Sequence, residues 1–285
     1  MRSSIPAFAS DTLDLNHTVR GLLHRAAREA AAIALADFRP GAETSARVRT
    51  KHGGSPVSDA DLAVDRYLRQ VLSQGLPQAG WLSEESADDR ARLDERLCWV
   101  VDPIDGTRAF IAGERSWTIC IALVADGRPV VGVVYAPALD LFYEASEGEG
   151  ALLNGQAIAA STREQLAGAR VAGPKGLLDM VEREAGTLVR LPRIPSLALR
   201  LARVGEGEVD AGLVSASASD WDIAAADLII HEAGGRLSTL EGRRPIYNLH
   251  APEHEVLVAS GTALHAGTLA TLNAAMGRGA AGRKN

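Results

Sequence analysis

Two aspartates, Asp102 and Asp105, follow directly on a continuous apolar run at residues 97–101, with only Pro103 and Ile104 between them. A run of that kind reads as a strand buried on both faces. Two carboxylates at its end bring like charges together where water is scarce, which costs free energy unless something positive neutralises them. A divalent ion is the simplest partner. Hard cations such as Mg²⁺ take oxygen ligands in octahedral geometry, and the Ile104 carbonyl between the two acids is a third oxygen. Glu84, at the end of a short stretch at 81–83, could bridge the same ions. Asp222, read as opening a helix that runs to Ala233, could reach them from the second half, and Asp61 in the first turn of its own helix is a fifth candidate. Gly106-Thr107 adds an anion site: free N–H groups at a helix start favour phosphate, and glycine lets the backbone approach it closely. Metal ions and a helix N-terminus converging on one phosphate describe phosphoryl transfer to water. Singly, each residue has a plainer role. Asp61 and Asp222 would be helix caps, Glu84-Glu85 a solvated pair, and Asp102-Pro-Ile-Asp-Gly a turn. Their joint occurrence is what points to chemistry.

The elements that must position these residues follow from periodicity. Val19, Leu22, Leu23, Ala26 and Ala30 recur at helical spacing, and Pro40 ends that helix. Ser58 with Asp61 three positions on resembles a capping box and starts a second helix. Residues 119–124 and 130–135 read as strands joined at Asp126-Gly127, a hairpin signal, and 141–144 as a third. The first half therefore reads as helices followed by an antiparallel meander. In the second half, strands are expected at Val171, 211–214, Leu237 and 256–259, and helices at 196–204 and 222–233, the latter stopped by Gly234-Gly235. Gly148 to Gly155 marks a boundary between an N-terminal α+β half, 1–150, carrying most metal ligands, and a C-terminal α/β half, 151–285, supplying Asp222 and much of a substrate pocket.

The bulk properties narrow the class. The chain has 285 residues, 46% of them hydrophobic, enough for a large core. A formal charge of −6 and a pI near 5.7 argue against binding to a nucleic-acid polymer. Cys98 and Cys120 both lie in apolar runs and read as buried thiols rather than a disulfide or zinc framework. No apolar run is long enough to span a bilayer, and the N-terminus lacks the apolar core of a secretory signal. A cytoplasmic protein without membrane partners is the expectation.

Three motifs then carry a resemblance. Trp81-Leu-Ser-Glu-Glu-Ser86, Trp99-Val-Val-Asp-Pro-Ile-Asp-Gly-Thr107 and Ser219-Asp-Trp-Asp-Ile-Ala-Ala-Ala226, the last followed by Glu232-Ala-Gly-Gly235, resemble the signatures of the inositol monophosphatase family in the family order. The family lies within the lithium-sensitive, magnesium-dependent phosphatases. The resemblance runs from about residue 17 to 262. It implies a layered α-β-α-β-α fold of mixed α/β class, of the inositol monophosphatase and fructose-1,6-bisphosphatase type. It implies that Glu84, Asp102, the Ile104 carbonyl, Asp105 and Asp222 hold two or three Mg²⁺ ions, with Mn²⁺ as an alternative. Asp61 would assist a looser third ion. Thr107, bonded to Glu84 or Asp61, would orient the attacking water, and Gly106 and Thr107 would hold phosphate. The partner is a small phosphorylated metabolite, and the assembly a monomer or a homodimer.

For the substrate, Arg108-Ala109-Phe110 departs from the Lys/Arg-Asn-Phe of typical inositol monophosphatases. Ser196-Leu followed by Ala202-Arg-Val-Gly-Glu-Gly207, and Tyr247-Asn248 ahead of Leu257-Val-Ala-Ser-Gly261, resemble the 3'(2'),5'-bisphosphate nucleotidase branch, although Ala172-Gly-Pro-Lys175 stands where that branch has Ser-Arg-Ser-His. The order expected is adenosine 3',5'-bisphosphate, then inositol 1-phosphate, then histidinol phosphate. Lys175, Ser217 and Ser219 are the candidate substrate contacts, and Asp220 reads as a solvated neighbour of Asp222. A catalytically weak metal-binding regulator with the same fold is the alternative of another class. The completeness of the acid set argues against it.

Overall fold

The computed structural model describes residues 8–51 and 53–281. The N-terminal residues 1–7, where no signal is expected, and the last four residues of the tail lie outside the described residues. The chain opens with α1 (Phe8–Asp37), a hairpin of β1 (Val48–Thr50) and β2 (Pro56–Ser58), and α2 (Asp59–Gly75). A seven-stranded sheet follows, made of β3 (Gly80–Ser83), β4 (Leu97–Asp105), β5 (Thr118–Ala125), β6 (Arg128–Ala136), β7 (Leu141–Ser146), β8 (Ala151–Leu153) and β9 (Gln156–Ala157) in sequential order. Only β3 and β4 run parallel; the other neighbours are antiparallel. The short helix α3 (Thr107–Ile111) leaves the end of β4.

The rest of the chain supplies β10 (Arg170–Ala172), α4 (Lys175–Ala185), β11 (Val189–Arg190), α5 (Leu197–Gly205), β12 (Ala211–Val214), β13 (Ala218–Ser219), α6 (Asp220–Glu232), β14 (Gly235–Thr239), β15 (Glu253–His254), β16 (Leu257–Gly261) and α7 (Thr262–Ala281). Five of its strands form a mixed sheet ordered β11-β10-β12-β16-β14.

The apolar runs are continuous because the large sheet is covered on both faces. Along β5, Ile119, Ile121 and Leu123 face a core shared with α1 and α2, while Cys120, Ala122 and Val124 face a core shared with α5 and α6. The α5–α6 layer also packs on the small sheet, whose far face is closed by α4 and α7. The result is the α-β-α-β-α layering that the resemblance implies. Among the described residues no helix is long and apolar enough to cross a membrane.

Three local features aim the functional residues. Asp126 and Gly127 both take positive φ, 49° and 75°, as a two-residue hairpin turn requires, so the β5–β6 register follows. A Cβ at Gly132 of β6 would lie 3.1 Å from the Ala225 Cα, so a glycine there lets α6 lie close on the sheet. Third, α6 begins at Asp220 and not at Asp222. Ser219 is its cap, and Asp222 stands at the third helical position, accepting from the Ser219 backbone N–H at 2.7 Å. The sequence expectation that Asp222 opens the helix is off by two residues, because the capping box puts its acid three positions after the cap.

Candidate active site

The end of β4 is where the sheet stops pairing regularly. Asp102 pairs with Cys120 and Asp105 with Thr118, with an irregularity between them. That irregularity turns both acids to one side. Oxygens of Asp102, Asp105 and Asp222 all lie within 4.8 Å of one another. Asp102 is 1% exposed and Asp105 7%. Burial, then repulsion from Glu84 and the other acids, pushes the Asp102 carboxyl well above its usual range. Burial also raises Asp105, against hydrogen bonds that lower it. Asp222 is pushed up to about 8, first by burial and then by Asp105.

Each acid is held by a backbone or hydroxyl donor. Asp102 accepts from the Ile104 N–H at 3.0 Å. Asp105 Oδ2 accepts from Ser196 Oγ at 2.6 Å and from the Ala198 N–H at 2.7 Å, at the start of α5. Asp61 closes the capping box of α2, taking the Ser58 N–H at 2.9 Å on Oδ2, while its Oδ1 lies 3.1 Å from Thr107 Oγ1. The same hydroxyl is 3.0 Å from the Ile104 carbonyl. Of the two partners expected for Thr107, the structure selects Asp61. Gly106 caps α3 at φ +90°, and a Cβ there would sit 3.3 Å from the Ser196 nitrogen.

Glu84 is placed differently. It stands at the end of β3 with Lys51, whose ammonium lies 2.8 Å from Glu84 and 2.7 Å from Glu85. Its charge still acts on Asp102, Asp105, Asp222 and Asp61. Lys51 comes from the segment after β1 and was not singled out in the sequence, where a lone lysine in a basic loop carries no signal. Ser196 was read as a helix start and as part of a branch resemblance, with no role toward Asp105. Asp220 is a correction: it is 1% exposed, not solvated, and accepts from the Asn248 N–H and His254 Nε2, both at 2.7 Å. Ser219 serves as the cap of α6, and Ser217 is exposed with φ 71°. Lys175 begins α4, its side chain 84% exposed and paired with Asp179 at 2.7 Å.

The donor set fits a hard divalent cation. It is all oxygen, strongly acidic and too buried to remain ionised without positive charge. The nearest thiol, Cys120, is held above its ordinary pKa by burial and is no competing soft ligand. A pH signature follows. Acids with raised pKa hold protons that a cation must displace. In the metal-free protein the folded state therefore keeps protons that the unfolded chain has lost. Its stability falls as pH rises from the ordinary carboxylate range, near about 4, toward the raised values. The gain in Tm from Mg²⁺ is expected to be small at about pH 5 and to grow up to about pH 8. A gain that does not change with pH would mean that the acids are already ionised.

Comparison with known proteins gives the family. The family model described as "Inositol monophosphatase family" matches residues 15–276. A histidinol-phosphatase of Mycobacterium tuberculosis is 36% identical over 240 residues, covering 80% of this chain and 88% of that one. An inositol-1-monophosphatase of Mesorhizobium japonicum is 34% identical over 205 residues, covering 69% and 76%. The crystal structure of an IMPase/NADP phosphatase with Mg²⁺ and phosphate superposes with a TM-score of 0.71 at 26% identity, covering 81% of this chain and 87% of that one. This chain belongs to the inositol monophosphatase family and is a phosphomonoesterase of that family.

Proposed function

We propose that this phosphomonoesterase uses two or three Mg²⁺ ions, held by Glu84, Asp102, the Ile104 carbonyl, Asp105 and Asp222, to hydrolyse a small phosphorylated metabolite. The observation that carries it is the convergence of Asp102, Asp105 and Asp222 within 4.8 Å at the end of one buried strand. Bound Mg²⁺ supplies Lewis-acid chemistry, making water a nucleophile near neutral pH and offsetting charge on the phosphoryl oxygens. The remaining work falls to the chain itself. Thr107, held by Asp61, orients the water. The backbone N–H groups at Gly106 and Thr107 face the phosphate. The donors on Asp105 fix its carboxylate, so little reorganisation is needed as charge develops.

The relatives bear on the substrate. Their names support histidinol phosphate and inositol 1-phosphate, the alternatives in the sequence-based order, better than adenosine 3',5'-bisphosphate, which stood first. The assay is phosphate release from all three with Mg²⁺ and with EDTA. Metal-dependent release from at least one, abolished by EDTA, is the expected result. No release from any would favour the regulator that keeps the fold without the activity.

A further inference from the structure

Helix α2 carries an acid where its core face calls for an apolar side chain. That face runs Asp61, Val64, Asp65, Leu68 and Leu72, the spacing at which an amphipathic helix meets its core. Asp61 serves as the capping acid, but Asp65, one turn further in, caps nothing. It is 6% exposed. A carboxylate buried there costs free energy that an apolar residue would not.

The partners of Asp65 among the described residues are two serine hydroxyls. Ser83 Oγ donates to Oδ1 and Ser86 Oγ to Oδ2, each at 2.5 Å. Bonds of this kind, to a charged acceptor, are about twice as strong as neutral ones. Having given their protons to Asp65, both hydroxyls accept one from their own segment. Ser86 Oγ takes the Trp81 indole N–H at 3.3 Å, and Ser83 Oγ takes the Glu85 N–H at 3.4 Å.

The two serines bracket Glu84 and Glu85. Ser83 is the last residue of β3 to pair with β4, and the Glu84 N–H then reaches the Val101 carbonyl at 3.3 Å. One carboxylate thus holds both ends of the turn. None of these bonds uses the Glu84 carboxylate, whose charge acts on Asp102, Asp105 and Asp222. Asp61, about one helical turn before Asp65, holds Thr107. A single face of one rigid helix is therefore the common support of Glu84 and Thr107.

We propose that Asp65 is a positioning residue, which fixes through Ser83 and Ser86 the turn that presents Glu84 to the metal ions. The proposal rests on the assignment of Glu84 as a metal ligand and adds the group that sets where Glu84 stands. The plainer role for Asp65 is to tie α2 to β3 and nothing more.

The test uses Asp65→Asn, which fits the same space but offers one oxygen for two hydroxyl donors. The metal-free protein is titrated with Mg²⁺ alone by calorimetry, well below the variant's Tm. The Kd for Mg²⁺ is expected to rise about tenfold, the lower end of what losing a support behind a ligand costs. Phosphate release should fall at low Mg²⁺ and largely recover at high Mg²⁺. In a Glu84→Gln background, Asp65→Asn should change Kd by less than about twofold, because the residue it acts through is already gone. A plain tie between α2 and β3 would lower Tm in EDTA and leave the Kd of the folded protein unchanged, and that result would overturn the proposal. So would a loss in Kd of the same size with and without Glu84. If Asp65→Asn fails to fold, Ser86→Ala, at the half-buried end of the turn, decides on the same criteria. A Glu84→Gln protein that binds Mg²⁺ as well as wild type is a different failure, that of the ligand assignment itself, and it takes the proposal with it.

Discussion

Asp102→Asn is expected to lose turnover by at least about a thousandfold, the scale of losing a fixed charge that stabilises the transition state, while making the metal-free protein more stable. The two effects have one cause. Asp102 is 1% exposed, and the charges of Glu84, Asp105, Asp222 and Asp61 all raise its pKa. Without a cation that charge opposes folding; with one it would serve as a ligand. Asparagine keeps the volume and keeps an oxygen for the Ile104 N–H, which now lies 3.0 Å from Asp102. Packing should therefore survive, and only the charge goes. Relief of like-charge crowding should raise Tm in EDTA at about pH 8, where the acids are most ionised, and the Tm gain from Mg²⁺ should shrink. The check is kcat/KM at saturating Mg²⁺ together with Tm in EDTA and in Mg²⁺. A residue with a merely structural role would lower both activity and metal-free Tm. Turnover within tenfold of wild type, with an unchanged response to Mg²⁺, would remove Asp102 from the metal site.

The parts of this site that were legible in the sequence are those set by neighbours in the chain. The Ser58–Asp61 capping box is a three-residue offset, and α2 starts there. The apolar run into Asp102 announced a strand covered on both faces, and β4 is one. What stayed hidden depends on residues brought from far away. Asp220 looked like a surface acid because its donors, Asn248 in a loop and His254 in the two-residue β15, come from about thirty residues on, in a stretch with no periodic pattern. The Ser196–Asp105 bond spans 91 residues, and the motif around Asp105 names no partner for it. Helix α4 escaped notice because only Leu178 and Val181 are buried along it, too few to establish a period. Helix α7 begins in a small-residue run with Gly267 in its interior, where propensity is weak and packing against the small sheet decides. Lys51 is the clearest case: its role comes from reaching two glutamates more than thirty residues away, and nothing beside it in the chain foretells that.

Thr107→Val is the change that separates water positioning from metal binding. Thr107 Oγ1 lies 3.1 Å from Asp61 Oδ1 and 3.0 Å from the Ile104 carbonyl, and it has one proton for two acceptors. When Asp61 is ionised it takes that proton, and the hydroxyl oxygen is left as an acceptor for a proton of the attacking water. Ser58 holds the other oxygen of Asp61, so the pair cannot swing away. Valine keeps the β-branched shape at the start of α3 and removes only the oxygen. Turnover should fall by about a hundredfold to a thousandfold, within the range for a positioned proton acceptor. KM should stay close to wild type, because the backbone N–H groups proposed to face the phosphate remain, and a loss confined to kcat marks an interaction made in the transition state. The Mg²⁺ dependence should also hold if Thr107 serves the water, as proposed, and not the ions. Valine leaves Asp61 Oδ1 without its donor, at a cost of about 1–3 kcal/mol, so the rates must be compared well below the variant's Tm. Thr107→Ser restores the hydroxyl and should recover most of kcat. If Thr107→Val turned over within about threefold of wild type, far outside the range expected for such an acceptor, the Asp61–Thr107 pair would be a helix-start contact alone, and the water would have to be oriented by Glu84.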